Sequence, residues 1–224
     1  MTDLIKKQNG VLWLDKTGLS LYLENKAFLR LNCPPEIIND LEIVDKLKLQ
    51  NLIHSFVNQN NLSFLSLIVI ITAEVLFEKD WNLPQTDTQL KEEEDFFDSI
   101  PFENVLEHSW IKDNKKKLIA TNQDLITALR DCFEKENCNF MAVFPYSLFG
   151  AGVRDESAKE IWKKLDSFKH NNLIEEDKVP NKEKSLINSQ INRNENRSLL
   201  PILIAVFVIL IGVLVFFLIK NSLN

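Results

Sequence analysis

The chain has 224 residues, of which 45% are hydrophobic and 26% charged, enough for one folded domain with appended segments. The net charge of −6 leaves −7 on residues 1–169, because residues 170–198 sum to zero and Lys220 adds one positive charge. An acidic domain repels a phosphate backbone, so no nucleic-acid partner is expected. The three cysteines include no C-x-x-C pair and make no disulfide framework, which fits a reducing compartment.

Three strands joined by tight turns are predicted at the amino-terminal end. Residues 11–14 are a short apolar run, and residues 15–18 read Asp-Lys-Thr-Gly, which is turn chemistry. Residues 19–24 then alternate between apolar and polar. Residues 27–32 form the third predicted strand, which the Cys-Pro-Pro at 33–35 stops.

A helix and a buried strand come next. Residues 45–58 place Leu49, Ile53 and Phe56 at helical spacing. Residues 65–73 (LSLIVIITA) are mostly apolar and rich in β-branched residues, which is typical of a strand buried on both faces. Residues 76–81 are predicted to extend or re-enter the same sheet.

The remaining elements alternate between helix and strand. They are an acidic helix over 87–99 closed by Pro101, a hairpin of 105–111 and 115–121 around Asp113-Asn114, a helix capped by Asn122 and ending at 136, a strand over 140–146, and an amphipathic helix over 155–168. This order predicts an α/β domain with a mixed sheet.

Several of these segments resemble the actin-like ATPase superfamily, and within it the PilM and GspL components of type IV pilus and type II secretion platforms. The opening LWLDKTGLSLYLENKAFLRLN is similar to the family's first three strands. FFDSIPFENV is similar to the end of the family's inserted subdomain, which has an Ile-Pro-Phe-type motif. KKLIATNQDLITALRDCFEKENCNFMAVFP is similar to the strand, helix and strand that follow.

The resemblance covers residues 11–150, which is the first half of the family's two-lobed fold. It implies an RNase H-like/actin-like half-domain over residues 1–169. A small inserted α+β subdomain is expected at about 84–121.

A nucleotide site is expected to be degenerate. Phosphates approach the backbone closely at glycine-rich turns, and this chain has five glycines in total. Only Gly18, next to Asp15 at the end of the first strand, lies in a candidate phosphate turn. We interpret Asp15 and Gly18 as a vestigial cofactor site, with an ordinary hairpin turn as the alternative. No catalytic residue is expected.

Neither a metal site nor a cofactor is expected. An RNase H-type nuclease would need two or more carboxylates that converge with Asp15 on a metal ion, and Glu74 is the single candidate. The three histidines are scattered and form no H-E-x-x-H or paired Cys/His spacing.

The carboxyl-terminal part is predicted to be a membrane anchor. Residues 199–219 are apolar throughout, broken only by Pro201 and Gly212, and about 21 helical residues span roughly 31 Å, close to a bilayer's hydrocarbon core. Residues 170–198 are rich in Asn, Lys, Glu and Ser and are predicted to be a flexible linker. Residues 220–224 form a short tail.

The orientation of the anchor follows from its flanking charges. The basic residues before the span are Lys178, Lys182, Lys184, Arg193 and Arg197, and only Lys220 follows it. The positive-inside rule therefore predicts a single-pass protein of the cytoplasmic (inner) membrane, with its amino-terminal domain in the cytoplasm.

The resemblance implies a non-catalytic, membrane-anchored scaffold of a type IV pilus-like or type II secretion-like assembly platform. Its partners would be membrane lipid and the assembly ATPase or another platform protein. Phe96, Phe97 and Phe102 are the expected partner-binding residues, because three phenylalanines within seven positions exceed what a short helix buries alone. Alternatively, all three attach the subdomain to the main sheet. A membrane-tethered actin-like ATPase and a generic tail-anchored adaptor remain open as other functions.

Overall fold

A computed structural model of the protein describes residues 8–24, 26–62, 64–150 and 152–174. The strands are β1 Gln8–Asp15, β2 Gly18–Leu23, β3 Lys26–Asn32, β4 Ile38–Asn39, β5 Glu42–Ile43, β6 Leu65–Ile71, β7 Phe77–Asn82, β8 Val105–Lys112, β9 Lys115–Asn122 and β10 Asn139–Pro145. The helices are α1 Lys46–Gln59, α2 Asp87–Asp98, α3 Gln123–Lys135, α4 Ala158–Lys163 and α5 Leu165–Phe168.

The main sheet has five strands in the order β10-β6-β1-β2-β3. Strand β1 pairs antiparallel with β2 and parallel with β6, while β6 pairs parallel with β10. Strand β6 is buried along its whole length, as its mostly apolar sequence predicted. The mixed α/β sheet expected from the sequence is therefore confirmed.

Helices cover both faces of this sheet. On one face, Leu49 and Ile53 of α1 and Leu129 and Phe133 of α3 are buried in the larger core cluster. On the other face, α4 and α5 pack over β1, β6 and β10. The cap predicted at Asn122 is present, because its side chain accepts hydrogen bonds from the N–H groups of Asp124 and Leu125. Asp45, the first residue of the helix predicted over 45–58, is instead the N-cap of α1 and accepts from the Lys48 N–H.

A second sheet, with the order β7-β9-β8, lies between β6 and α3 in the chain. The expectation that residues 76–81 extend or re-enter the main sheet is wrong, because β7 pairs with β9 instead. A short 3₁₀ turn over Ala73–Val75 separates β6 from β7, and β7 is mostly half-exposed, unlike β6. The hairpin turn is as predicted: Asp113 and Asn114 both have positive φ, which these residue types tolerate.

The helix expected over 155–168 is shorter and broken. It begins at Ala158, because Ser157 and Glu160 form a capping box that fixes the first turn. It is interrupted at Lys164, whose Nζ pairs with the Glu156 carboxylate. The indole N–H of Trp162 donates to the Gly10 carbonyl, 3.1 Å away, which holds α4 against β1.

The last described residues pack against the sheet. Leu173 is buried, and its N–H donates to the Val143 carbonyl of β10 at 2.9 Å. The rest of the predicted linker, 175–198, the predicted span, 199–219, and the tail lie outside the described residues. Within the described ranges, no helix is both long and apolar enough to cross a bilayer.

Candidate functional site

Ligands in α/β proteins commonly bind beyond the carboxyl ends of parallel strands, which here are β1, β6 and β10. Strand β1 ends at Asp15, and Gly18 opens β2 directly across from it. Glu74 follows the end of β6 and accepts a weak hydrogen bond from the Lys16 N–H at 3.4 Å. The structure thus brings Asp15, Gly18 and Glu74 to one end of the sheet.

The carboxylate of Asp15 is fully engaged by the protein itself. The Arg30 guanidinium donates to both carboxylate oxygens, with Nη2 2.8 Å from Oδ1. The Thr17 N–H and hydroxyl also donate to Oδ1, at 2.9 and 2.7 Å. Arg30 further donates to the Ser20 hydroxyl at 2.8 Å. A forked arginine–carboxylate pair of this kind fixes both groups in one geometry.

The electrostatics follow from this packing. The side chains of Asp15 and Arg30 are only 20% and 25% exposed. Desolvation raises the pKa of Asp15, but the hydrogen bonds from Arg30 and Thr17 outweigh it and lower that pKa from 3.8 to about 2. The carboxylate is therefore ionised at neutral pH and already neutralised by a permanent cation. A magnesium ion at Asp15 would have to displace the guanidinium.

Position 18 requires a glycine because the neighbouring strand β3 lies too close for a side chain. It has φ of +152°, and a Cβ at this position would lie 2.1 Å from the Leu31 carbonyl oxygen of β3. No side chain fits at such a distance. The close approach of β3 therefore explains why position 18 has no side chain, and phosphate binding is not needed as an explanation.

Further metal ligands do not gather at this end. Among the described residues, no group of three or more His, Cys, Asp or Glu side chains could hold a metal ion. Cys33 is buried beside the Arg30–Asp15 pair, and desolvation raises the pKa of its thiol to about 11. It is a protonated, packed side chain at neutral pH.

The three phenylalanines of the predicted docking surface are half-buried near the second sheet. The rings of Phe96 and Phe97 meet edge to face at 5.1 Å, and Phe102 meets Phe77 of β7 at 5.8 Å. Helix α2 is fixed to this sheet by the Lys116–Glu93 ion pair at 2.6 Å. The contact with Phe77 favours a structural role for Phe102, whereas partner binding by Phe96 and Phe97 stays a prediction.

Sequence reasoning missed three residues. Arg30 occupies the Asp15 site, although the two residues are 15 positions apart. Leu90 on α2 and Ile111 on β8 are 50% and 66% exposed, more than any of the three phenylalanines. Ile111 was detectable, because period-2 alternation along β8 places it on the same face as the polar residues Glu107 and Ser109.

Comparisons with known proteins concern the fold. No protein-family model matches the chain, and no curated protein matches it either. Similar solved structures include the PilM-PilN type IV pilus biogenesis complex, at 11% identity and a TM-score of 0.43, covering 61% of this chain and 46% of that one. The cytoplasmic domain of EpsL, an inner-membrane component of the type II secretion system of Vibrio cholerae, is similar at 12% identity and a TM-score of 0.39, covering 62% and 57%.

A third similar structure is a Bacteroides thetaiotaomicron protein with an actin-like ATPase fold and unknown function. It shows 17% identity and a TM-score of 0.35, covering 62% of this chain and 54% of that one. Both groups named by the sequence resemblance are thus among the similar structures. The chain spans about half the length of the structures it matches.

Proposed function

We propose that this chain is a non-catalytic, membrane-anchored scaffold of a type IV pilus-like or type II secretion-like assembly platform. The class of machine is the one implied by the resemblance of residues 11–150. The proposal that this chain is non-catalytic rests on one observation, the Arg30–Asp15 pair. In an actin-like ATPase of the kind that the resemblance implies, the carboxylate at the end of the first strand would have to face a metal ion, and here a guanidinium holds both of its oxygens.

The anchor completes the proposal. The apolar run 199–219 suits a single transmembrane helix, and the basic residues before it suit a cytoplasmic position of the folded domain. In this arrangement the domain presents its surface to the cytoplasmic part of the machine. Its partner is the assembly ATPase or another platform protein.

The docking surface that we propose is the second sheet with its helix α2. Phe96 and Phe97 lie in the last turn of that helix, and Leu90 and Ile111 add apolar area that the described chain leaves exposed. Aromatic and large aliphatic side chains at the centre of an interface commonly cost about 2 kcal/mol or more when truncated.

Capture of a defined partner tests this function. The full-length chain is co-expressed with the tagged assembly ATPase of its own organism, and separately with that organism's platform protein. We expect one of them to co-purify with the wild type and to be lost with Phe97→Ala or Ile111→Ala. Leu47→Ala removes an equally exposed apolar residue from α1 and serves as the matched control. Capture of neither protein, or equal capture by all variants, contradicts the proposal.

A further inference from the structure

Helix α2 lies over two of the three strands of the second sheet. Successive residues of an α-helix are rotated by about 100°, so Glu92, Glu93 and Glu94 leave it on three different sides. Glu92 pairs with Lys79 of β7 at 3.5 Å, and Glu93 pairs with Lys116 of β9 at 2.6 Å. Strand β9 is the middle strand, with β7 and β8 on its two sides. Glu94 therefore lies on the side of α2 that is turned towards β8.

A row of exposed side chains follows this side of the helix. Leu90 and Asp98 lie four residues before and four residues after Glu94, and residues at that spacing are neighbours on a helix surface. All three side chains are exposed. The row begins with an apolar residue and ends with two carboxylates, over about 12 Å of helix.

Strand β8 contributes a second row beside the first. Glu107, Ser109 and Ile111 alternate onto one face of the sheet, and all three are exposed. This is the face that α2 covers, because Ile111 lies directly opposite Lys116, the residue that holds Glu93. Together the two rows form what we call the α2–β8 surface, which consists of Leu90, Glu94, Asp98, Glu107, Ser109 and Ile111.

The two ends of the α2–β8 surface differ in chemistry. Leu90 and Ile111 lie towards the end where α2 begins and β8 finishes, and Asp98 and Glu107 lie towards the other end. Burial raises the pKa of Glu107, and the negative charge of Asp98 raises it further. The two carboxylates therefore repel each other in the free protein. A bound cationic group would relieve that repulsion.

The helix carries more negative charge than its own contacts neutralise. It has six acidic residues and one lysine, and the ion pairs to β7 and β9 engage two of the acidic residues. Within the described ranges, no ion pair involves Glu94, Asp98 or Glu107. Charge complementarity thus favours a cationic ligand and disfavours a lipid headgroup, a nucleic acid or a second copy of this acidic surface.

We propose that the α2–β8 surface binds a basic, amphipathic segment of the partner protein. A large apolar side chain of that segment packs against Leu90 and Ile111, and lysine or arginine side chains pair with Glu94, Asp98 and Glu107. About four extended or eight helical residues cover the length of the surface. This inference rests on the proposed function and adds the chemistry that the partner must present.

Reversal of one charge tests the acidic end. Asp98→Lys and Glu134→Lys change the net charge of the full-length chain equally, and Glu134 is an exposed residue of α3, outside the α2–β8 surface. We expect Asp98→Lys to raise the dissociation constant for the co-purifying partner at least tenfold, about 1.4 kcal/mol, and Glu134→Lys to change it less than about threefold. The melting temperature of Asp98→Lys should not fall, because the repulsion with Glu107 is removed.

Synthetic peptides test the segment directly. Overlapping peptides of about 15 residues cover the sequences of the assembly ATPase and the platform protein, and the labelled full-length chain is bound to them in mild detergent. We expect the bound peptides to carry a net positive charge and a large apolar residue, and to be lost with Asp98→Lys but not with Glu134→Lys. A peptide of residues 178–197 of this chain, which contains five basic residues, is included.

The possible failures are distinguishable. Capture of neither protein by the wild type contradicts the proposed function and this inference with it. Capture that Asp98→Lys and Glu134→Lys weaken equally, or bound peptides that are neutral or acidic, overturn this inference and leave the proposed function standing. Tightest binding of the 178–197 peptide would also overturn it, because the occupant would then be this chain's own segment.

Discussion

Replacing Arg30 with methionine removes the guanidinium but keeps a stem of similar length. The Asp15 carboxylate, 20% exposed, then loses a bidentate pair and keeps only its two bonds from Thr17. Breaking a hydrogen bond to a charged group costs about 1.5–3 kcal/mol. For a folded unit of this size, each kcal/mol lowers the melting temperature by about 2–4 °C. We therefore expect the melting temperature of Arg30→Met to fall by roughly 3–12 °C.

The same variant should change the pH dependence of stability. In the wild type, the pKa of Asp15 is lowered from 3.8 to about 2, so the pair's contribution is complete above pH 3.8 and is lost as the pH falls through about 2. After discounting for partial exposure, this contribution is roughly 1–2 kcal/mol. In Arg30→Met, burial still raises the Asp15 pKa, but the hydrogen bonds from Arg30 that lower it are absent. The pKa of Asp15 in the folded variant should therefore be higher than in the wild type, so the variant should lose less stability as the pH falls.

Thermal unfolding of the full-length chain between pH 7 and pH 2.5, followed by tryptophan fluorescence, measures both effects. Lys16→Met is the matched control, because the Lys16–Asp40 pair is exposed to solvent and should contribute little. Equal melting temperatures for Arg30→Met and Lys16→Met, or parallel pH profiles for the wild type and Arg30→Met, would refute the account of the Asp15 site.

Three further outcomes are expected. Gly18→Ala should lower the melting temperature by several degrees or prevent folding, because the added Cβ would lie 2.1 Å from the Leu31 oxygen; an unchanged melting temperature would contradict the close approach of β3. Phe102→Ala should also lower the melting temperature, since the Phe102 ring packs on Phe77. Phe97→Ala should instead reduce partner capture while the melting temperature stays nearly constant. The reverse pattern would mean that Phe97 is the structural residue and Phe102 the docking residue. A tag at Met1 should resist protease added outside spheroplasts, and digestion of the tag would show that the orientation is opposite to the predicted one.

Most elements of the described fold were predictable, because their signals are local. The apolar run of β6, the cap at Asn122 and the Asp113-Asn114 turn each fix an element without reference to the rest of the chain. The sheet to which β7 belongs was not predictable in this way. Its local pattern is that of a strand, but its pairing with β9 depends on a segment more than 30 residues further along.

The candidate site was predictable only in part. The sequence singles out Asp15 and Gly18, but their environment depends on the register of three strands. That register brings Arg30 diagonally to Asp15 and brings the Leu31 carbonyl against Gly18. A glycine in a turn is compatible with a positive φ or with a close approach, and only the fold shows which group approaches it.

Nucleotide titration tests the central claim, which is that the site at the end of β1 does not bind nucleotide with magnesium. The full-length chain is titrated calorimetrically with ATP and magnesium. With Arg30 holding both Asp15 oxygens, we predict no binding up to about 1 mM nucleotide. A dissociation constant near 10 µM, about −6.8 kcal/mol, would contradict the scaffold account and favour a membrane-tethered ATPase.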